Sequence, residues 1–334
     1  MTVGERGRRV RVMKRSAIFL AVMGGLFPVG GFAADGDGFA AECAALAEGV
    51  EGSSVKGADG DWLFLVNELK HLGEGAFWEK KADRVGVVAA YAKELEGLGV
   101  KLVLLPVPAK AAIYPQKLVG EASEVLATAP LYAQMREAGV EVIDLEEVYR
   151  KAKRDGAGKL YCEQDAHWSP LGAEMAVEAV WGVVEENGWL DGVAAEAWEI
   201  GKEQELVIKG DQVDGEFANL AKEALAVRRV KRVAADASSP VLLIGDSHLR
   251  VYSDGGEFHT EGAGFRDHLQ ARMGLAAAAY FTNGDGVYTP RVRIAKAAKK
   301  DPTFWEGKKV VVWCFSVRGF TSPLVRWAKL PAQP

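Results

Sequence analysis

Two short stretches hold residue types able to make and break an acyl bond. The first is Val241-Leu242-Leu243-Ile244-Gly245-Asp246-Ser247-His248. Its apolar run reads as a strand buried on both faces. Gly245 lets the chain turn sharply at the strand's carboxyl end, where open α/β sheets place their ligand crevices. A serine at that corner exposes its hydroxyl, so Ser247 is the candidate nucleophile. The plainer alternative is a strand-to-turn corner with a capping Asp246 or Ser247. The second stretch runs from Tyr161 to Gly172 and contains Asp165-Ala166-His167-Trp168-Ser169-Pro170. A serine hydroxyl needs an adjacent base, and that base needs a carboxylate to fix its tautomer and stabilise the imidazolium. Asp165 and His167 are two apart, so in an extended segment they leave on one face. The bland alternative is a loop histidine ahead of a helix that starts at Ser169-Pro170. With five histidines in the chain, the two stretches together predict a Ser247–His167–Asp165 relay.

The elements that must position these residues alternate. Helices are expected over 39–50, 82–98, 130–138, 170–187, 216–226, 265–273 and 292–300. Strands are expected over 62–66, 101–108, 140–145, 241–244 and 309–316. Such alternation predicts an α/β fold, a mostly parallel sheet flanked by helices. Three strands end at chemically notable loops, carrying Lys110, Ser247 and Arg318. Carboxyl ends of parallel strands share one edge of a sheet, so these loops can converge. Residues 190–232, with a turn at 209–212, give no chemical signal by pattern. There is no internal repeat, and residues 35–334 read as one domain.

Hydrophobic residues make up 49% of the 334, as in a globular chain with a sizeable core. The net charge of −5 is uneven: residues 1–34 hold six Lys/Arg and one Glu, leaving 35 basic and 45 acidic residues in the rest. That body has no electrostatic footprint for nucleic acid. Basic residues Arg6 to Arg15, the apolar run Ala17 to Phe27 and small residues to Ala34 have the form of a secretory signal peptide. An uncleaved N-terminal anchor is the alternative. Either places the body outside the cytoplasm, in the periplasm. Three cysteines, Cys43, Cys162 and Cys314, leave at least one unpaired, and no pair is singled out. Cys314, in an apolar run, reads as a buried thiol. No spacing suggests a zinc site.

Taken together these segments resemble the SGNH-hydrolase-like polysaccharide O-acetyltransferases of alginate acetylation, the AlgJ/AlgX family. The resembling blocks are Asp59-Gly60-Asp61-Trp62-Leu63-Phe64, then Pro106-Val107-Pro108-Ala109-Lys110 with Ile113-Tyr114-Pro115, then Asp165-x-His167-Trp168, Gly245-Asp246-Ser247, and Val312 to Arg318. The order is circularly permuted relative to ordinary SGNH esterases, which place Ser first and Asp/His last. The resemblance implies acetyl transfer to hydroxyls of an exported polysaccharide, alginate-like or another exopolysaccharide, through an acetylated Ser247. It implies a membrane-bound O-acyltransferase partner as acetyl donor, and no metal or organic cofactor. Lys110, Tyr114 and Arg318 become candidates for substrate binding, and Asn283 or the Gly284 N–H for the oxyanion. His248 is read as structural or a wall of the site; His71, His259 and His268 as surface or packing residues. Two other readings stay open: a secreted carbohydrate acetylesterase, and a non-catalytic polysaccharide-binding assembly protein.

Overall fold

The computed structural model describes residues 36–75, 83–120, 128–231, 235–322 and 325–333. The expected signal peptide at residues 1–34 lies outside them. The chain enters through α1 (Gly36–Ala47), then an antiparallel ribbon of β1 (Ser54–Lys56) and β2 (Leu63–Leu65), and α2 (Val66–Gly73). Next come α3 (Arg84–Gly97) and β3 (Lys101–Val107), which ends in two short helical turns, α4 (Lys110–Ile113) and α5 (Pro115–Val119). There follow α6 (Ala129–Glu137), β4 (Glu141–Val142), α7 (Leu145–Arg154) and α8 (Pro170–Glu186). A hairpin of β5 (Ile200–Ile208) and β6 (Glu223–Val230) precedes β7 (Val241–Gly245). The chain closes with α9 (Phe265–Met273), β8 (Ala278–Phe281), α10 (Thr289–Lys300) and β9 (Val310–Ser316).

The central sheet has the order β4-β3-β9-β7-β8, and every pairing in it is parallel. Every residue of β7 and β9 is buried, as continuous apolar runs require when both faces of a parallel sheet are covered. β3, β9 and β7 are neighbours, so the loops carrying Lys110, Arg318 and Ser247 leave one edge side by side. Pro106 sits in β3 opposite Phe315. Its missing N–H falls on the side where β4 has already ended, so no ladder bond is lost. α3 packs on β3 and against α6, while α7, α8 and α9 pack in succession. No helix among the described residues is long and apolar enough to cross a membrane.

Two expectations are corrected. The helix expected over 216–226 is a turn followed by β6. Glu223, Leu225 and Val227 are buried while Ala224, Ala226 and Arg228 are exposed, a period of two that suits a strand lying on α8 and α9. The strand expected over 140–145 stops at Val142. Asp144 turns the chain and caps α7, its side chain accepting from the Glu147 N–H at 3.0 Å. The three cysteines are free and buried.

Candidate active site

β7 delivers the corner that carries the candidate nucleophile. A Cβ on Gly245 would lie 1.8 Å from the Cys314 carbonyl oxygen, so β7 and β9 close to this distance only with glycine there. Asp246 then pins the turn. Its Oδ1 accepts from the His248 N–H (2.9 Å) and His248 Nδ1 (2.8 Å), and its Oδ2 from the Ser316 N–H (2.8 Å). Burial works against this charge, but His248, the Ser316 N–H and nearby Arg318 outweigh it and hold the carboxyl well below its usual range. Ser247 opens a 3₁₀ turn, Ser247–Leu249, and is 8% exposed.

The Asp-x-His loop is held from four sides. Tyr161 and Trp168 bridge its two ends, and Ser169 caps α8 by accepting from the Gly172 N–H at 3.1 Å. Glu223, at the start of β6, accepts from the N–H groups of Glu163 and Gln164. Asp211 accepts from the Ala166 N–H at 2.8 Å. The Lys110 ammonium donates to the carbonyls of Leu63 (2.6 Å), Glu163 (2.8 Å) and Asp165 (3.1 Å).

So held, the loop faces the corner. His167 Nε2 lies 2.8 Å from Ser247 Oγ, and His167 Nδ1 lies 2.7 Å from Asp165 Oδ1. Asp165 also accepts from the His167 main-chain N–H (2.9 Å), the Asp211 N–H (3.0 Å) and His259 Nε2 (2.8 Å). Four donors fill a carboxylate that only accepts when ionised. Burial pushes the Asp165 carboxyl up, but His167 and His259 pull it well below its usual range. Burial draws His167 down, yet Asp165, its hydrogen bond and Asp211 raise the imidazole above its usual value. Hydroxyl, imidazole and carboxylate therefore stand in hydrogen-bonded succession, the arrangement that activates a serine toward a carbonyl. Asp165, His167 and Asp211 are also the group among the described residues whose donor atoms lie close enough to hold a cation. The His167 nitrogen such an ion would take already faces Asp165.

Residues 55–317 match the family model described as "SGNH hydrolase-like domain, acetyltransferase AlgX". The chain belongs to this family. It is 28% identical over 283 residues to the probable alginate O-acetylase AlgJ of Pseudomonas syringae, covering 79% of this chain and 68% of that protein. The AlgJ counterpart of Pseudomonas aeruginosa is 37% identical over 161 residues, 47% of this chain but only 39% of that protein. In three dimensions the O-acetyltransferase domain of Pseudomonas putida AlgJ superposes with a TM-score of 0.62 at 28% identity, over 80% of this chain and 92% of that one. The SGNH-like α/β fold expected from the sequence is thus the fold of the chain.

Within this AlgX-like domain, two of the residues expected to bind substrate are placed elsewhere. Lys110 is 1% exposed and directs its ammonium at three main-chain carbonyls. It secures β2 to the Asp-x-His loop and has no donor left for a ligand. Tyr114 is buried against the Trp62 ring, 4.6 Å between centroids, and its hydroxyl accepts from the Leu160 N–H at 2.8 Å. Both residues build the loop's foundation. Arg318 and Asn283 fare differently. They line one cavity of about 600 Å³ together with Lys70 and His71. They follow β9 and β8, which flank β7, so they leave the sheet on either side of Ser247. Arg318 makes no side-chain hydrogen bond among the described residues. Asn283 is exposed, its amide oxygen accepting from Arg250 at 2.6 Å.

Two residues of the site escaped the sequence reading. Asp211 lies in the 209–212 turn, and a Cβ on the neighbouring Gly210 would meet the Gln164 carbonyl oxygen at 2.0 Å. That glycine, ahead of an aspartate in a turn, is the one local sign that another backbone passes close by. His259 stands 94 residues from Asp165 in a glycine-rich loop, with no pattern to link the two.

Proposed function

We propose that this chain transfers acetyl groups to hydroxyls of an exported polysaccharide through an acetylated Ser247. The observation that carries the reading is the 2.8 Å and 2.7 Å succession from Ser247 through His167 to Asp165, assembled from segments 80 residues apart. Ser247 Oγ attacks the carbonyl carbon of an acetyl donor, and His167 Nε2 takes the hydroxyl proton. The C–O bond to the leaving group breaks, and the leaving group receives that proton from His167. A sugar hydroxyl then gives its proton to His167 and attacks the acetyl carbon, and the bond from that carbon to Oγ breaks as His167 returns the proton to Ser247. Asp165 keeps the Nδ1 proton in place and stabilises the imidazolium in both halves. The Ser247 main-chain N–H and the Asn283 amide, steadied by Arg250, are assigned to the oxyanion, each worth about 2.7–4 kcal/mol.

Relatives named as alginate O-acetylases make an acidic polysaccharide the reasonable acceptor, and Arg318 is the cation assigned to its carboxylates. The basic and then apolar N-terminus suits export to the periplasm. Outside the cytoplasm acetyl-CoA is absent, so a membrane-bound O-acyltransferase is the partner we assign as donor. The test is incubation with a chromogenic acetyl ester, with and without uronate oligosaccharides, for wild type and Ser247→Ala. The reading expects ester cleavage and acetylated oligosaccharide from wild type and neither from the variant. Free acetate alone from wild type would make the enzyme an esterase. Acetylated oligosaccharide from Ser247→Ala would remove the serine from the mechanism.

A further inference from the structure

The segment after the nucleophile folds back onto the Asp-x-His loop. Among the described residues the non-glycine positions with positive φ are Tyr252 (φ 61°) and His259 (φ 73°), both in this segment. Their rings lie 5.8 Å apart. The Tyr252 hydroxyl sits 2.9 Å from Cys162 Sγ and donates to the Trp168 carbonyl at 3.3 Å, so it grips both ends of the loop. His259 reaches between them to Asp165. It has ψ −53°, and the Thr260 N–H donates to the Phe258 carbonyl at 2.9 Å. That is a γ-turn of the strained hand, rare for any residue with a side chain. Gly255 and Gly256, both at positive φ, lead into it. The chain therefore accepts an unfavourable backbone at the residue whose ring meets the buried carboxylate on the oxygen His167 does not use, and such outliers gather at working sites.

The bond itself is specific. His259 is 8% exposed in its side chain, and its Nε2 lies 2.8 Å from Asp165 Oδ2, the oxygen that His167 does not use. An ionised carboxylate only accepts, so Nε2 carries the proton. Oδ1 takes the two N–H groups of His167, and Oδ2 takes His259 and the Asp211 N–H. The carboxylate plane is fixed by bonds on both oxygens. Without His259 the Asp211 N–H is the one donor left on Oδ2.

We propose that His259 is a positioning residue: its Nε2–H holds Asp165 so that Oδ1 stays on His167 and Ser247 is kept activated. This rests on the serine–histidine–aspartate reading above and adds a second imidazole to it, on the far side of the acid.

Two substitutions separate the donor from the backbone. His259→Asn suits a positive φ but carries its amide nitrogen short of Asp165. His259→Gln suits that φ poorly, yet places an amide N–H where the imidazole Nε2–H stood. The readouts are kcat and KM for a chromogenic acetyl ester and the rate of Ser247 modification by a sulfonyl fluoride, with Ser247→Ala as control. We expect Asn to lower kcat and the modification rate about tenfold, the size of one hydrogen bond to a charged group, with KM unchanged. Gln should recover both rates to within about threefold of wild type, a partial replacement of that same bond. Asn performing as well as Gln or better overturns the proposal, because backbone fit would then outweigh the donor. Wild-type rates in both overturn it as well. An active Ser247→Ala would instead refute the triad itself, so the two failures are told apart.

Discussion

Asp165→Asn keeps the shape of the carboxylate and exchanges one oxygen for an NH₂, and the structure makes either placement costly. With the NH₂ at the Oδ2 position, it faces the Asp211 N–H and His259 Nε2. His259 can move its proton to Nδ1 and accept, but the Asp211 main-chain N–H cannot. With the NH₂ at Oδ1, it faces the His167 N–H and His167 Nδ1. The imidazole must then carry its proton on Nε2, pointing at Ser247, and no base is left. Each placement strands one buried main-chain donor at a cost of about 1–3 kcal/mol, so neither excludes the other. The fraction with the correct tautomer still lacks the negative charge that stabilises the imidazolium. We expect kcat for a chromogenic acetyl ester to fall by about 10²-fold or more, within the span that general base catalysis supplies and toward the loss a wrong tautomer causes in other triads. The charge that raises His167 is also gone and its burial remains, so the acid limb of any residual activity moves to lower pH. A variant within fivefold of wild type, with its acid limb unmoved, would refute the role given to Asp165.

In the proposed mechanism His167 must be neutral to act as base, and it is held above the ordinary imidazole value of 6.5. A pH profile of kcat/KM should therefore show activity lost on acidification with a midpoint above that value. Lys110→Met removes three hydrogen bonds from a buried charged donor. After the relief of burying an ammonium, a net loss of about 3 kcal/mol remains, or about 5 °C of melting temperature at this chain size. Calorimetry reads that loss, and a rise in KM for the acceptor without any loss of melting temperature would restore Lys110 to substrate binding. Gly210→Ala pushes a methyl against the Gln164 carbonyl and the Asp165 N–H. Displacing the acid by even about 1 Å should cost kcat about 10²-fold, measurable with the acetyl ester. Arg318→Ala should raise KM for an oligouronate acceptor about tenfold, one charge-assisted hydrogen bond, and raise it less for a neutral oligosaccharide.

What could be read from the residues, and what could not, follows from how each group is supplied. Ser247, His167 and Asp165 sit in contiguous motifs whose spacing reports local geometry, and the structure brings them together. The sheet was legible for the same reason: the runs at 101–107, 241–244 and 310–316 are too apolar and too short for anything but buried strands. Lys110 was not legible. A lysine after a strand reads alike whether it meets a ligand or turns inward, and its acceptors are carbonyls, which every residue has. β6 carries the sequence Glu-Ala-Leu-Ala-Val, rich in helix formers, and only its packing against α8 and α9 makes the alternation decisive. His259 depends on a strained turn, and strain has no composition beyond the glycines that precede it.

The chain holds a second Asp-x-His unit that tests how far a motif defines a role. Asp246 and His248 repeat the local geometry of Asp165 and His167: in each, one carboxylate oxygen accepts from the ring Nδ1 and from the main-chain N–H of the same histidine, at 2.7–2.9 Å. The unit is self-contained and forms wherever the backbone allows it. What differs is the other oxygen and the other ring nitrogen. Asp246 gives its second oxygen to the Ser316 N–H and so pins β7 to β9, whereas Asp165 gives its own to Asp211 and His259. Burial lowers His248 despite its aspartate, with His167 and Arg318 adding to the effect, while His167 is raised. The two rings meet edge to face at 4.9 Å, and the Trp168 ring lies 5.0 Å from His248. A neutral His248 beside His167 adds no positive charge to oppose the imidazolium that the proposed transfer requires. The same three-residue unit thus faces Ser247 in one place and packs as a wall in the other, and its surroundings decide which.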